Sequence, residues 1–298
     1  MKDGGHIAAK APPAATDGAK VRIYLPHDRL KGFVTFYYIV ESDGALEDFL
    51  YPEWGNVRFN VRGNWHARLN HRYPEAELSS ALFGPTDHAA RIVTSGGKII
   101  GFGLTPIGWL RFLPIPADHL ANRVTPLGDW FGMSGEAVRA ALSAQDHDGS
   151  IVDLLDRLLL ASLDRSKPNP AWAMELSRSL RDRPRDVEQF AAKLGLSGRA
   201  LARRCKRLFG FAPKRLLRRQ RFLETLGKIR VVEPRHYGAL VDPEYFDQAH
   251  FVHEFREFMG LSPTEFLMTA RPLMTHAAEA QLAAGITLSF ELPPEPAE

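Results

Sequence analysis

One pattern occurs twice in this chain, fifty residues apart and without a gap. Leu201, Cys205, Leu208, Gly210 and Pro213 return as Phe251, Phe255, Phe258, Gly260 and Pro263, and Ser197 returns as Asp247. Each copy reads as one amphipathic helix. A capping side chain opens it, apolar residues recur at helical spacing, and glycine followed by proline stops it. A repeated supersecondary unit constrains the fold more than either copy would alone. Just before the first copy, Asp186 caps another helix with Gln189 three residues on, and Val187, Phe190, Ala191 and Leu194 form its buried stripe. Gly195 ends that helix where a positive φ is needed. Between the two copies, Pro213 to Lys228 predicts a linking helix with proline at a tolerated first-turn position.

Charge separates this region from the rest. From Arg181 to Arg230 there are 16 Lys and Arg against 4 Asp and Glu, a net of +12, whereas the whole chain is +3, so the remainder carries −9. That asymmetry points to a polyanion as partner. Helix, tight turn and basic second helix are the spacing of a helix-turn-helix. Arg199, Ala202, Arg203 and Lys206 share the face opposite the apolar one and return as Ala249, Val252, His253 and Arg256. Arg199 and Arg203 are placed to meet guanine O6 and N7. A linking helix of roughly 20–25 Å, at about 1.5 Å per residue, can hold two reading helices about one DNA turn apart, roughly 34 Å. A basic, solvated helix on an ordinary helical protein is the competing reading of either copy taken singly.

The strings FAAKLGLSGRALARRCKRLFGFAPKRLLRRQRF and YFDQAHFVHEFREFMGLSPTEFL resemble the AraC-type transcription regulators over about residues 175–268. The resemblance implies two helix-turn-helix units on double-stranded DNA. Its base-reading positions fall on Arg199, Ala202 and Arg203 in the first unit and on Gln248, Ala249, Val252 and His253 in the second. Ser197, Arg204, Lys206, Arg207, Lys214, Arg215, Arg218, Arg219 and Arg256 are then candidates for phosphate contacts, which position a protein on DNA without specifying sequence. In the family so resembled, activation through contact with RNA polymerase is commoner than repression, and the sequence does not settle the sign. The chain departs from the family at His253, usually Arg, at Cys205, usually Phe, and at Pro243-Glu244-Tyr245, where a glycine is usual before the aromatic. From Val231 to Ala270 there are 2 Lys and Arg against 7 Asp and Glu. Like charge would face phosphate there, so the first unit is expected to supply most of the affinity.

The N-terminal half reads as strands. FVTFYYIV at 33–40 suits a buried strand, and Val57, Phe59 and Val61 alternate with Arg58, Asn60 and Arg62. Gly96-Gly97 punctuates RIVTS and KIIGFGL as a hairpin would. The order of elements over roughly 22–165 resembles the cupin-like domains of one AraC-type subgroup. The expected class is thus α+β in two domains: a cupin-like β-barrel or sandwich with trailing helices at 21–165, and an all-α double helix-turn-helix at 171–270. Residues 1–20 read as a disordered leader, Ser166 to Pro170 as the boundary, and 271–298 as a disordered tail. Phe36, Tyr38, Trp54, Phe59, Trp65 and Trp109 are candidates to line an effector pocket, with the barrel core as the plainer assignment. Arg58 and Arg62 are better read as a solvated strand face than as an anion clamp. Gly135 to Ala144 predicts a short helix. The apolar stripe of Ile151 to Leu163 predicts a second one, able to serve a homodimer contact or to pack back on the barrel.

Several classes are excluded or disfavoured. His66, His71 and His88 lack the cupin metal spacing, so no metal is expected. No cofactor fingerprint, phosphate loop or Ser-His-Asp pattern occurs, so the chain is not read as an enzyme. No apolar run reaches the length of a membrane span, and no secretory signal is evident, which places the protein in the cytoplasm. Cys205 sits on an apolar face as a small hydrophobe. The alternative reading is an enzyme or protein adaptor using the basic half as a non-specific nucleic-acid tether.

Overall fold

The computed structural model describes residues 18–69, 76–77, 79–230, 238, 241–242, 245 and 247–286. An antiparallel sheet fills the N-terminal half and helices fill the C-terminal half, the α+β class expected. The strands are β1 (Ala19–Tyr24), β2 (Val34–Ser42), β3 (Leu46–Leu50), β4 (Asn56–Arg68), β5 (Ala76–Glu77), β6 (Ser80–Phe83), β7 (Ala90–Leu104) and β8 (Val124–Pro126). They pair in the order β1-β2-β7-β4-β6-β8, with β3 also on β7 and β5 on β4. Among the described residues β1 and β8 are not paired to each other, so the sheet is folded over rather than closed.

The fold-over has a local cause. Gly96-Gly97 was expected to turn a hairpin, but β7 runs through it as one 15-residue strand. Gly97 lies opposite Gly63 of β4. A Cβ on Gly63 would sit 2.0 Å from the Gly96 carbonyl oxygen, and one on Gly97 would sit 2.2 Å from that of Arg62. The two backbones touch where only glycine fits. Beside them β4 carries irregularities between Asn60 and Arg62 and between Asn64 and Trp65. Bulges and glycines at one level bend both strands together.

Each face of the sheet has its own core. Helices α1 (Pro106–Phe112), α2 (Gly135–Ser143) and α3 (Asp148–Arg165) cover one face. Tyr37, Val57, Phe59, Ile100 and Phe102 meet Trp109, Leu155 and Leu159 there. Ile151, Leu155, Leu158, Leu159 and Leu163 are all buried in this core. Of the two uses open to this stripe, packing back on the sheet is the one the structure shows. Polar anchors hold α3 in place: the Tyr37 hydroxyl donates to Asp156 at 2.6 Å, and Arg22 and Tyr24 reach Asp148 at 2.5 and 2.6 Å.

The other face holds Val40, Trp65, Ala67, Phe83, Ile92 and Ile99. Of Arg58 and Arg62, both expected on a solvated face, Arg58 is 4% exposed, and Asn60 between them is 8% exposed. Folding the sheet turned that face inward. Arg58 stacks 4.1 Å over Phe83 and donates to Glu53 at 2.7 Å, while Arg62 stays exposed.

The tail is also ordered in part. Helix α10 (Pro272–Ala283) packs on β1 and β3, with Leu273 in the second core, contrary to the disorder expected for 271–298. Residues 1–17 and 287–298 lie outside the described residues. Asp48 of β3 accepts from the Met274 backbone N–H at 3.1 Å, capping α10 from across the fold. Burial pushes the Asp48 carboxyl up to about 6, despite those amide bonds. A carboxyl whose folded pKa exceeds its unfolded value, about 3.9, favours folding when protonated. That contribution is complete below about pH 4 and is lost as pH rises through about 6. Asp48→Asn still accepts the helix amide without the charge. Relative to the parent, the variant is expected to gain roughly 2 kcal/mol between pH 4 and pH 7 in urea denaturation. Parallel stability curves for the two proteins would contradict this.

Candidate nucleic-acid interface

The C-terminal half comprises α4 (Ala171–Arg181), α5 (Val187–Lys193), α6 (Gly198–Phe209), α7 (Pro213–Ile229), α8 (Gln248–Met259) and α9 (Pro263–Met268). Caps set the boundaries. Asp186 accepts from the Gln189 N–H at 2.7 Å and opens α5, and Gly195 follows that helix at φ 60°. Ser197 accepts from the Ala200 N–H at 3.3 Å and opens α6, and Asp247 does the same for α8 through the His250 N–H at 2.7 Å. Both helices have 12 residues. Both end on a left-handed glycine, Gly210 at φ 87° and Gly260 at φ 75°, and a proline starts the helix after each. The sequence repeat is thus a repeat of capped helices.

Leu201, Cys205 and Leu208 face the core beneath α6, and Phe251, Phe255 and Phe258 do so beneath α8. Arg199, Arg203, Lys206 and Arg207 are exposed on α6 and Ala202 is half-buried; Gln248, Ala249, His253 and Arg256 are exposed on α8 and Val252 is half-buried. Ser197 and Lys214 are exposed as well. A groove of about 750 Å³ runs between the units, lined by Arg185, Lys214, Leu217, Arg218, Arg221 and His250. Arg204 and Arg207 lean on the Trp172 ring, 5.6 and 5.8 Å from its centroid. Burial pushes the Cys205 thiol up to about 12, so it is no thiolate at neutral pH.

Three arginines expected at phosphate are engaged elsewhere. Arg219 is 1% exposed, lies 4.0 Å over Trp54 and donates to the Thr86 carbonyl at 2.7 Å. Burial lowers its pKa to about 9. It is a bolt between the halves rather than a DNA contact. Arg215 donates to Asp87 at 2.5 Å and also to Glu257. Arg218 donates to Glu254 at 2.8 Å and to Glu257 at 2.6 Å. Burial would raise the Asp87 carboxyl, but His88 and Arg215 hold it well below the usual carboxylate range. Glu254 and Glu257 of the second unit therefore face the arginines of α7 rather than phosphate. Sequence reasoning missed this pairing, although Arg215 and Arg218 share the three-residue spacing of Glu254 and Glu257. Pro243 and Glu244, part of the departure from the family pattern, lie outside the described residues.

The six aromatics proposed for an effector pocket do not come together. Phe59 and Trp109 belong to one sheet core and Trp65 to the other. Trp54 packs 5.8 Å from Phe209, and Phe36 contacts Tyr38 edge-on at 6.3 Å. Phe59 and Trp109 are packing on one face of the sheet and Trp65 on the other. Among the described residues no group of three or more His, Cys, Asp or Glu could hold a metal ion, and no helix is long and apolar enough to cross a membrane.

Residues 190–269 match the family described as a helix-turn-helix domain. No curated protein matches the chain. Among solved structures, ToxT from Vibrio cholerae is 12% identical, with 84% of this chain and 98% of that chain covered, at a TM-score of 0.43. ToxT with an unsaturated fatty acid bound is 10% identical, covering 87% of this chain and 98% of that chain, at 0.39. The AraC-like transcriptional activator CuxR is 13% identical, covering 64% and 76%, at 0.29.

Proposed function

We propose, from the AraC-type helix-turn-helix domain at 190–269, that this protein is a sequence-specific regulator of transcription that binds double-stranded DNA. The observation that carries the reading is the duplicated capped helix with its exposed polar face on a shared linker. Arg199 and Arg203 read guanine edges, and Gln248, Ala249 and His253 read from the second unit, with Ala202 and Val252 beside them. Ser197, Arg204, Lys206, Arg207, Lys214 and Arg256 position the chain on phosphate. The same reading includes a contact with RNA polymerase, a small-molecule effector and residence in the cytoplasm with the transcription machinery. The family match points to regulation rather than catalysis. The adaptor alternative loses its motive, because Glu254 and Glu257 are taken up by Arg215 and Arg218.

Titration of the full chain onto a fluorescent duplex tests the reading. With about five phosphate contacts, affinity falls at least a hundredfold between about 50 and 200 mM salt, and Lys206→Ala reduces the log–log slope by about one. Salt-independent binding, or no binding to duplex at low salt, would count against it.

A further inference from the structure

Two cations on the flank of α6 differ from the arginines of α7 in what holds them. Arg215 and Arg218 lie on carboxylates, and Arg219 on a main-chain carbonyl. Arg204 and Arg207 rest instead on an indole. Their guanidinium carbons stand 5.6 and 5.8 Å from the centroid of the Trp172 ring. Among the described residues neither makes a hydrogen bond or an ion pair.

Two helices produce this arrangement. Residues three apart on a helix are neighbours on its surface, so Arg204 and Arg207 share one edge of α6. At about 100° per residue, that edge runs between the exposed side of Arg199 and Arg203 and the buried side of Leu201, Cys205 and Leu208. Helix α4 packs against α6, and Ala173, Leu176 and Leu180 fix it in the core the two share. Trp172, at the start of α4, is left half-buried with its ring at that edge.

A ring does for a guanidinium what a carboxylate cannot. Both attract it and restrict its rotamers, but a ring carries no net charge and leaves the in-plane N–H donors unused. The cation is ordered without being neutralised. Two cations on one ring, with no acid between them, repel each other, and an anion with several oxygens relieves that repulsion. A backbone phosphate beside the reading face of α6 is an anion of this kind.

We propose that Trp172 is a positioning residue for DNA. It pre-orders Arg204 and Arg207 for a phosphate beside the half-site read by α6, and does not itself touch the duplex. The inference rests on the regulator reading. Phosphate carries no sequence information, so the ring raises affinity for every duplex by a similar factor.

The test is titration of the full chain onto preferred and scrambled duplexes. Trp172→Leu is expected to weaken both about fivefold or more, for two stacked cations taken together, and to leave their ratio unchanged. Trp172→Phe restores part of the loss. In a chain that carries Arg204→Ala and Arg207→Ala, Trp172→Leu has no further effect, because the ring's partners are gone. Replacing Trp172 by mono-, di- and trifluorinated tryptophan weakens the ring's pull on cations at nearly constant size, so affinity falls stepwise with each fluorine while the fold is kept. Four results overturn the proposal: a loss below about twofold, an equal loss with and without the two arginines, a loss on the preferred duplex alone, or indifference to fluorination. If the unsubstituted chain binds duplex and fluorination has no effect, this inference alone fails. If the unsubstituted chain binds no duplex, the regulator reading fails and takes this inference with it.

Discussion

Arg199→Ala combined with Arg203→Ala is expected to lower the affinity of the full chain for its preferred duplex by about 2–6 kcal/mol, taking about 1–3 kcal/mol for each guanidinium that reads a base. That is a fall from roughly thirtyfold to ten-thousandfold. Both side chains are exposed on α6, whose apolar face is fixed by Leu201, Cys205 and Leu208. The fold should therefore survive the change, and circular dichroism checks that it does. Discrimination should fall with affinity: the double variant binds preferred and scrambled duplexes more nearly alike, whereas Lys206→Ala weakens both by a similar factor. A loss of less than threefold, or an equal loss on both duplexes, would remove these arginines from base reading.

The second large effect concerns the frame that sets α8 rather than the surface that reads. Glu254 is fully buried, and it accepts from Arg218 at 2.8 Å and from the Tyr245 hydroxyl at 2.7 Å. Glu254→Ala removes the acceptor and leaves a partly buried guanidinium and a buried hydroxyl facing a void. Arg218 keeps Glu257, so the cost is that of one lost ion pair and a buried hydroxyl left without its acceptor, about 1–3 kcal/mol. Urea denaturation of the full chain should show a loss of this order, with Glu254→Gln losing less because its amide oxygen still accepts. A loss below about 1 kcal/mol for the alanine variant would mean that the pair does not hold α7 to α8.

What was legible in the sequence was local. The caps Asp186, Ser197 and Asp247 and the stop glycines Gly195, Gly210 and Gly260 obey rules that act within one turn of helix. The structure uses each as its spacing predicts. What failed depended on partners far along the chain. Alternation in β4 separated Val57 and Phe59 from Arg58 and Asn60, but period two does not say which side meets water. The folded sheet buries both sides. Gly96-Gly97 had the composition of a turn, and only the opposing Gly63 shows that close approach was the need. The arginines of α7 looked alike. Arg219 finds Thr86 at a separation of 133 residues and Arg215 finds Asp87 at 128, which no window of sequence encloses. The last helix, α10, lies in a segment whose end, ELPPEPAE, has the composition of a tail, and the cap from Asp48 lies 226 residues away.

Selection of binding sites from random duplex DNA by the full chain, at about 150 mM salt, is the most direct test of the central claim. The duplicated helices predict two enriched half-sites centred about one helical turn apart, roughly 10–10.5 base pairs. The half-site read by α6 should disappear in the Arg199→Ala, Arg203→Ala double variant while the other persists. A pool that shows no enrichment, or one whose enriched sequences are untouched by that double variant, would contradict a two-unit reader of DNA.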